Sequence, residues 1–331
     1  MSAPLLEVAD LAVTLPVEGE RRTVLHDVSL AIGPGEALGL VGESGSGKSM
    51  TARAVARLLP GGAAVTGSIR FDGTDVTALR GGELRAYRRS VAMVFQDPRA
   101  HVNPVRRIGD FLTEGLRLRG VARAEAARRA VAALADVGIP DGERRLRQYP
   151  HELSGGQRQR VMIAAALLAE PRLVLADEPT TALDVTTQSE VMAIIDELRR
   201  ERGLALLFIT HDLDLAAAVC DRIAVMYAGA IVEERAAAVL HDDPLHPYSA
   251  ALAAARPAVD RTLPRLAAVR GRLVSAFEAP AGCAFAPRCA HAQDRCAAEL
   301  PPLRPLDGGA VRCARAEELR GRLAPQEVAG G

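Results

Sequence analysis

Apolar residues along this chain keep two rhythms. Residues 5–15 and 24–32 alternate apolar and polar positions, the period of a half-buried strand, and the second run closes on Gly33-Pro34-Gly35. Residues 37–41 form a short apolar run that leads directly into a glycine-rich segment. Residues 49–59 then read as a helix stopped by Pro60-Gly61-Gly62. Further buried strands are predicted at 91–95, 173–176 and 204–210, and 223–227 pairs with 230–233 as a hairpin across Ala228-Gly229. From 97 to 152 the pattern turns helical, with Val121, Ala124, Arg128, Val131, Leu134 and Val137 marking one long helix, and 185–202 is another helix. Strands alternating with helices predict an α/β fold: a core with a largely parallel sheet, an antiparallel β portion and a helical subdomain over about 97–170. Beyond Leu245-His246-Pro247-Tyr248 prolines crowd in, periodicity weakens, and four of the five cysteines occur. A domain over 1–245 and a cysteine-rich C-terminal extension over 246–331 are therefore expected.

Composition changes this picture little. With 331 residues and 49% hydrophobic content the chain can fill a large core. Its 41 acidic and 41 basic residues cancel, which argues against an extended nucleic-acid surface. No apolar run approaches the roughly 18 residues that span a bilayer, and Met1-Ser2-Ala3-Pro4 does not open a signal peptide. A cytoplasmic chain is expected, one that reaches a membrane only through partner subunits. The Ala-Arg run at 122–135 reads as a solvated amphipathic helix, and Cys220, in a helix-like stretch at 216–221, as core.

All basic residues but one are arginine. The single lysine, Lys48, lies in Gly42-Glu43-Ser44-Gly45-Ser46-Gly47-Lys48-Ser49, which fits G-x-x-x-x-G-K-[ST]. A compact ammonium can reach β/γ-phosphates inside a ring of backbone N–H groups where a planar guanidinium cannot. The strand before the loop and the helix after it supply the context this motif needs, with Ser49 placed to ligate Mg²⁺. A second motif, Leu173-Val174-Leu175-Ala176-Asp177-Glu178, ends a buried strand in two carboxylates. Asp177 suits a metal, and Glu178, one residue on, suits a general base. A third, Leu153-Ser154-Gly155-Gly156-Gln157, opens a helix running to about Ala169, with Ser154 as N-cap and a second anion site at the helix N-terminus.

In this order the motifs resemble the nucleotide-binding subunit of an ABC transporter over residues 5–245. Gly42–Ser49 is similar to Walker A, Gln96 to the Q-loop glutamine, Leu153–Gln157 to the signature and Asp177-Glu178 to Walker B. Ala182-Leu183-Asp184 is similar to the D-loop, and His211 to the switch histidine. The resemblance implies two such domains packed head to tail around ATP. It implies an ATP site drawn from Gly42, Ser44, Gly45, Ser46, Gly47, Lys48, Ser49, Met50, Gln96, Asp177 and Asp184, with the partner's signature residues Ser154, Gly155, Gly156 and Gln157 closing over it. It further implies Mg²⁺ at Ser49, Gln96 and Asp177, and catalytic roles for Glu178 and His211. No Phe, Tyr or Trp precedes Phe71, so the usual adenine-stacking aromatic is missing; Arg21, Arg22 or Val24 could take its place.

Finer spellings resemble the oligopeptide/dipeptide importers: Phe95-Gln96-Asp97-Pro98 with Asn103-Pro104, Tyr149-Pro150-His151-Glu152, Arg160-Val161-Met162-Ile163-Ala164, Thr180-Thr181-Ala182-Leu183-Asp184-Val185, and His246-Pro247-Tyr248. They are most similar to the D-type ATP-binding subunit, with nickel importers as a rival. This implies two multi-span permease subunits, a second homologous ATPase subunit and an extracytoplasmic peptide-binding protein as partners, at the cytoplasmic face of the plasma membrane, and no nucleic acid. A soluble ABC ATPase of DNA repair or translation usually has a long coiled-coil insertion or a second phosphate loop, and this chain has neither. Cys283, Cys289, Cys296 and Cys313 are grouped as thiolates that suit an iron–sulfur cluster, a zinc ion or no metal. Importers of this type share such a tail, and some hold a [4Fe–4S] cluster.

Overall fold

The computed structural model describes residues 3–180, 183–255, 269 and 271–323. Among them twelve strands run in chain order: β1 (Leu6–Val17), β2 (Glu20–Ile32), β3 (Ala37–Val41), β4 (Ala64–Phe71), β5 (Thr74–Asp75), β6 (Val91–Val94), β7 (Leu173–Asp177), β8 (Ala205–Thr210), β9 (Arg222–Tyr227), β10 (Ala230–Ala236), β11 (Arg304–Leu306) and β12 (Gly309–Val311). The chain divides into two compact units. One comprises residues 1–5, 32–36 and 71–209, and the other 6–31, 37–70 and 210–331. Among the described residues no helix is long and apolar enough to cross a membrane.

In the second of these units β1 lies between β2 and β4, while β3, β9, β10, β12 and β11 follow one another across a second sheet. β3 pairs with β9 in parallel, Leu38 opposite Arg222 and Val41 opposite Val225. Every residue of β3 is buried, as a continuous apolar run in a covered parallel sheet should be. Its Gly39 admits close packing: a Cβ there would stand 3.3 Å from Ala216 Cβ and Cys220 Sγ. Cys220 is a core residue, as expected. β9 and β10 form the expected hairpin, with an irregularity between Ile231 and Glu233.

Residues 304–312 are woven into this unit. β12 pairs antiparallel with β10, Glu233 opposite Val311, and β11 pairs with β12. Arg312 is 2% exposed and knits the edge together. Its backbone N–H donates to the Val232 carbonyl (2.8 Å), its Nε to the Ile231 carbonyl (3.0 Å) and its Nη2 to the Asp27 carbonyl (2.9 Å). The fully buried Glu233 accepts the N–H groups of Leu245 and His246, both at 2.8 Å, and so fixes the chain where the helix Pro247–Ala254 begins.

Burial pushes the Glu233 carboxyl up to about 7, against the pull of Ser249, of these two N–H donors and of Arg235. A carboxyl whose pKa is raised by folding contributes stability below its unfolded value, and that contribution is lost as pH rises toward 7. Between about pH 4.5 and 7 the folded chain should therefore lose roughly 3 kcal/mol through this group. Glu233→Gln is expected to flatten that segment of a melting-temperature-against-pH curve; parallel curves for the two proteins would refute it.

In the first unit β6, β7 and β8 pair in parallel, Val91 with Leu173 and Leu173 with Ala205. The region 97–152 is helical, and the long helix expected through Val121 to Val137 is Arg123–Asp136. The region divides into Pro98–His101, Ile108–Leu118, Arg123–Asp136 and Gly142–Arg147, with Gly120 (φ 83°) and Gly138 (φ 71°) supplying the left-handed turns. Arg123–Asp136 buries Ala126, Ala130, Ala133 and Leu134 on one stripe and leaves Arg128 and Arg129 paired with Glu125 outside. The helix expected over 49–59 ends earlier, at Val55. Strand β4 and the helix Gly81–Ser90 lie where no element was expected.

Candidate functional site

β3 ends at Val41 and the glycine loop begins at once. Gly42 runs so close to the β9 end that a Cβ would stand 2.1 Å from the Met226 carbonyl oxygen. Gly47, at φ 105°, is the N-cap of the helix Lys48–Val55, and a Cβ there would stand 2.9 Å from Leu25 Cδ2. Both positions require glycine. Lys48 is 4% exposed, and its Nζ donates to the carbonyl oxygens of Gly42 (2.8 Å) and Glu43 (2.9 Å), so the loop's own carbonyls hold the ammonium. Ser44 and Gly45 are exposed, Ser49 and Met50 half-buried. The hydroxyl of Ser46 is buried without a hydrogen-bond partner. A helix N-terminus, a fixed ammonium and exposed loop residues make a site for anionic oxygens. In the same unit His211 is exposed just past β8. Asp212 after it caps the helix Leu213–Val219 by accepting the N–H groups of Asp214 and Leu215.

The first unit holds Gln96, Ser154, Gly155, Gly156, Gln157, Asp177, Glu178 and Asp184. Asp177 ends β7 and is 4% exposed. Glu178 follows at φ 45°, held in this left-handed conformation by its N–H on the Ile209 carbonyl (3.0 Å). Gln96 Nε2 donates to Glu178 Oε2 at 3.0 Å. This pairing was not legible in the sequence, which placed Gln96 with the metal ligands. Ser154 caps the helix Gly155–Leu167 in a reciprocal box: its hydroxyl accepts the Gln157 N–H (3.2 Å), and Gln157 Oε1 accepts the Ser154 N–H (3.1 Å).

Asp184 caps the next helix, Val185–Arg202, by accepting from Thr187 N–H (3.0 Å) and Thr187 Oγ1 (2.8 Å), bonds that hold its carboxyl below the usual range. A Cβ on Gly156 would stand 2.4 Å from Thr187 Cγ2, so the signature glycine and the Asp184 cap fit together through Thr187. Sequence reasoning missed Thr187, although its place three residues after an Asp is an N-cap signal. Gln96, Gly155, Arg158, Gln159, Pro179 and Leu183 line one cleft of about 250 Å³. Ala182, the first residue of the D-loop match, lies outside the described residues.

In the second unit Cys283, Cys289, Cys296 and Cys313 line a single cavity with His246 and Phe285, and all four are free thiols. Burial pushes the Cys283 and Cys289 thiols up, and that of Cys313 to about 11. His246 Nδ1 accepts the Tyr248 N–H (3.0 Å), which leaves the ring proton on Nε2, a buried atom with no hydrogen-bond partner. Among the described residues no group of three or more His, Cys, Asp or Glu side chains is placed to hold a metal ion.

Residues 25–181 match the ABC transporter family, and residues 232–296 match the oligopeptide/dipeptide transporter C-terminal region. The chain is 44% identical over 310 residues to the oligopeptide transport ATP-binding protein OppD of Salmonella typhimurium, covering 93% of this chain and 92% of that protein. It is 43% identical over 310 residues to OppD of Escherichia coli, again covering 93% and 92%. Among solved structures, the dimeric ATP-binding cassette MJ0796 in a post-hydrolysis state bound to ADP and Pi aligns with TM-score 0.63 and 29% identity, over 70% of this chain and 98% of that one. The chain belongs to the ABC transporter family, as a D-type ATP-binding subunit of its oligopeptide/dipeptide branch.

Proposed function

We propose that this chain hydrolyses ATP to drive the import of oligopeptides or dipeptides across a membrane. The observation that carries the reading is the joint match of an ATP-binding core and a peptide-transporter C-terminal region to OppD relatives along almost the whole chain. In this reading Lys48, the amides of Gly45, Gly47, Ser49 and Met50, and the hydroxyls of Ser44 and Ser46 bind the phosphates. Ser49, Gln96 and Asp177 would hold Mg²⁺, which would supply charge neutralisation for the phosphates. Glu178 accepts a proton from water as its oxygen bonds to the γ-phosphorus, the bridge to the β-phosphate breaks, and ADP leaves. His211 contacts the γ-phosphate. Ser154, Gly155, Gly156 and Gln157 present a helix N-terminus to the ATP of a partner subunit, and Asp184 supports that surface. The dimeric cassette that aligns with this chain supports the pairing.

The partners of this reading are two multi-span permeases, a second homologous ATPase subunit and an extracytoplasmic peptide-binding protein, with this subunit peripheral at the cytoplasmic face. Residues 1–245 form the ATPase with its helical subdomain near 97–170, and 246–331 the importer-specific extension. Cys283, Cys289, Cys296 and Cys313 would be the ligands of an iron–sulfur cluster, although as placed they form no metal-holding group. The shared cavity supports this, as does the unpartnered Nε2–H of His246 on its wall, a buried donor that a sulfur acceptor would satisfy. Anaerobically purified protein is expected to carry iron and acid-labile sulfide in equal amounts, lost together in the Cys289→Ala variant. Zinc alone, or neither element, would overturn the cluster.

The test of the transport reading is purification of the tagged chain from native membranes in mild detergent. Co-purification of two permeases and a sibling ATPase is the expected result. Recovery of soluble or nucleic-acid-associated partners alone, by a chain that still binds ATP, would overturn it.

A further inference from the structure

One residue of the glycine loop has every polar group tied, and two of its ties come from the chain beyond residue 245. Glu43 gives its carbonyl oxygen to Lys48 Nζ (2.9 Å) and its N–H to the Tyr248 hydroxyl oxygen (3.0 Å). Its carboxylate receives the fork of the Arg288 guanidinium, Nη1 at 2.7 Å and Nη2 at 3.2 Å. The Arg288 side chain is 3% exposed and its direction is over-determined: Nη1 also donates to the Tyr227 hydroxyl (3.1 Å) and Nη2 to the Val269 carbonyl (3.0 Å). Its guanidinium carbon lies 5.8 Å from the Tyr227 ring centre and 5.9 Å from that of Phe285. Two further carbonyls of the loop are also bonded. Ala276 N–H donates to the Gly45 carbonyl (3.4 Å), and Gly229 N–H to the Ser46 carbonyl (2.8 Å).

We propose that Arg288 is a positioning residue for phosphate binding: through Glu43 it fixes the first turn of the glycine loop, so that the extension sets the geometry in which ATP is held. The inference rests on the reading of this loop as the ATP site. Phosphate recognition by backbone N–H groups works only if those groups already converge, since ordering them on binding costs affinity. A buried ion pair is a poor source of stability against an apolar replacement, and its best-attested use is to fix one geometry among several. Here the geometry fixed is that of Glu43, whose carbonyl also holds the loop's only ammonium. Arg288 immediately precedes Cys289, so the wall of the cysteine cavity and the latch on the loop are consecutive residues.

The test uses the full chain and titration of Mg²⁺–ATP. Arg288→Gln is expected to weaken ATP binding about 10- to 100-fold, while kcat at saturating ATP stays within about threefold. Arg288→Lys should recover part of the affinity, because an ammonium can make one of the two bonds but not both. Glu43→Gln removes the same pair from the loop side and keeps the side-chain size. It serves if Arg288→Gln fails to fold, and the double variant should bind no worse than the weaker single one. A merely structural role would lower the melting temperature and leave ATP affinity unchanged well below it. The proposal is overturned if Arg288→Gln and Glu43→Gln bind ATP as the parent does while Lys48→Ala does not. If Lys48→Ala also binds as the parent does, the ATP reading of the loop falls, and this inference with it.

Discussion

Replacing Glu178 by Gln is expected to lower the rate of ATP hydrolysis by about 10²- to 10⁴-fold, the usual contribution of a general base, with ATP affinity nearly unchanged. The amide keeps the size of the carboxylate and can still accept the Gln96 Nε2 bond, so the local geometry survives and only the proton acceptor is lost. Glu178 follows a buried strand in a left-handed conformation, which for a non-glycine residue costs about 1–3 kcal/mol and is characteristic of functional positions. The Gln96 bond then points its carboxylate. The measurement is phosphate release at saturating ATP, paired with equilibrium ATP binding on the same preparations. A rate within tenfold of the parent would remove Glu178 from the base role and leave His211 as the next candidate.

Lys48→Ala should show the opposite split: binding fails first. Each hydrogen bond to a charged group contributes roughly 1.5–3 kcal/mol, so if the ammonium gives two such bonds to phosphate oxygens when ATP binds, its loss implies an affinity about 10²- to 10⁴-fold weaker. Lys48→Arg is expected to rescue little. The slot is 4% exposed and floored by the Gly42 and Glu43 carbonyls, which a flat, wider guanidinium cannot enter without moving them. The composition already hints at this, because arginine fills every other basic position. ATP binding by Lys48→Ala within threefold of the parent would defeat the prediction.

The parts of the fold legible in the sequence are those where local chemistry and burial agree. The 37–41 strand and the 185–202 helix emerged with their observed limits because each is bounded by a glycine and, in the helix, an Asp cap. The Ser154 cap was legible for the same reason: a serine three residues before a glutamine opens an apolar helix. β4 was missed because its face toward the core is narrow; Ile69 and Phe71 alone are buried in it, and Val65, Thr66 and Gly67 are exposed. The helix Gly81–Ser90 opens on two glycines and buries only Tyr87, too little for a periodic signal. Along 97–152 the helical character and the long helix through Arg128 and Leu134 were legible, observed at Arg123–Asp136, whereas the short helices beside it carry too little apolar period to be separated. In the site, motif residues were visible because they are contiguous. The Arg288–Glu43 pair joins positions 245 residues apart, and no local pattern encodes it.

The weave of Arg312 and β12 into the β10 edge has a consequence for how this protein is made. A ribosome delivers Asp27 and β10 well before it delivers the residues that hold them. At roughly 5–20 residues per second, the roughly 80 positions from Ile231 to Arg312 take several seconds to emerge. Throughout that interval β10 carries an unpaired backbone edge, a template for any extended segment nearby. A nascent chain arrested before Gly309 lacks the β12 segment that covers this edge.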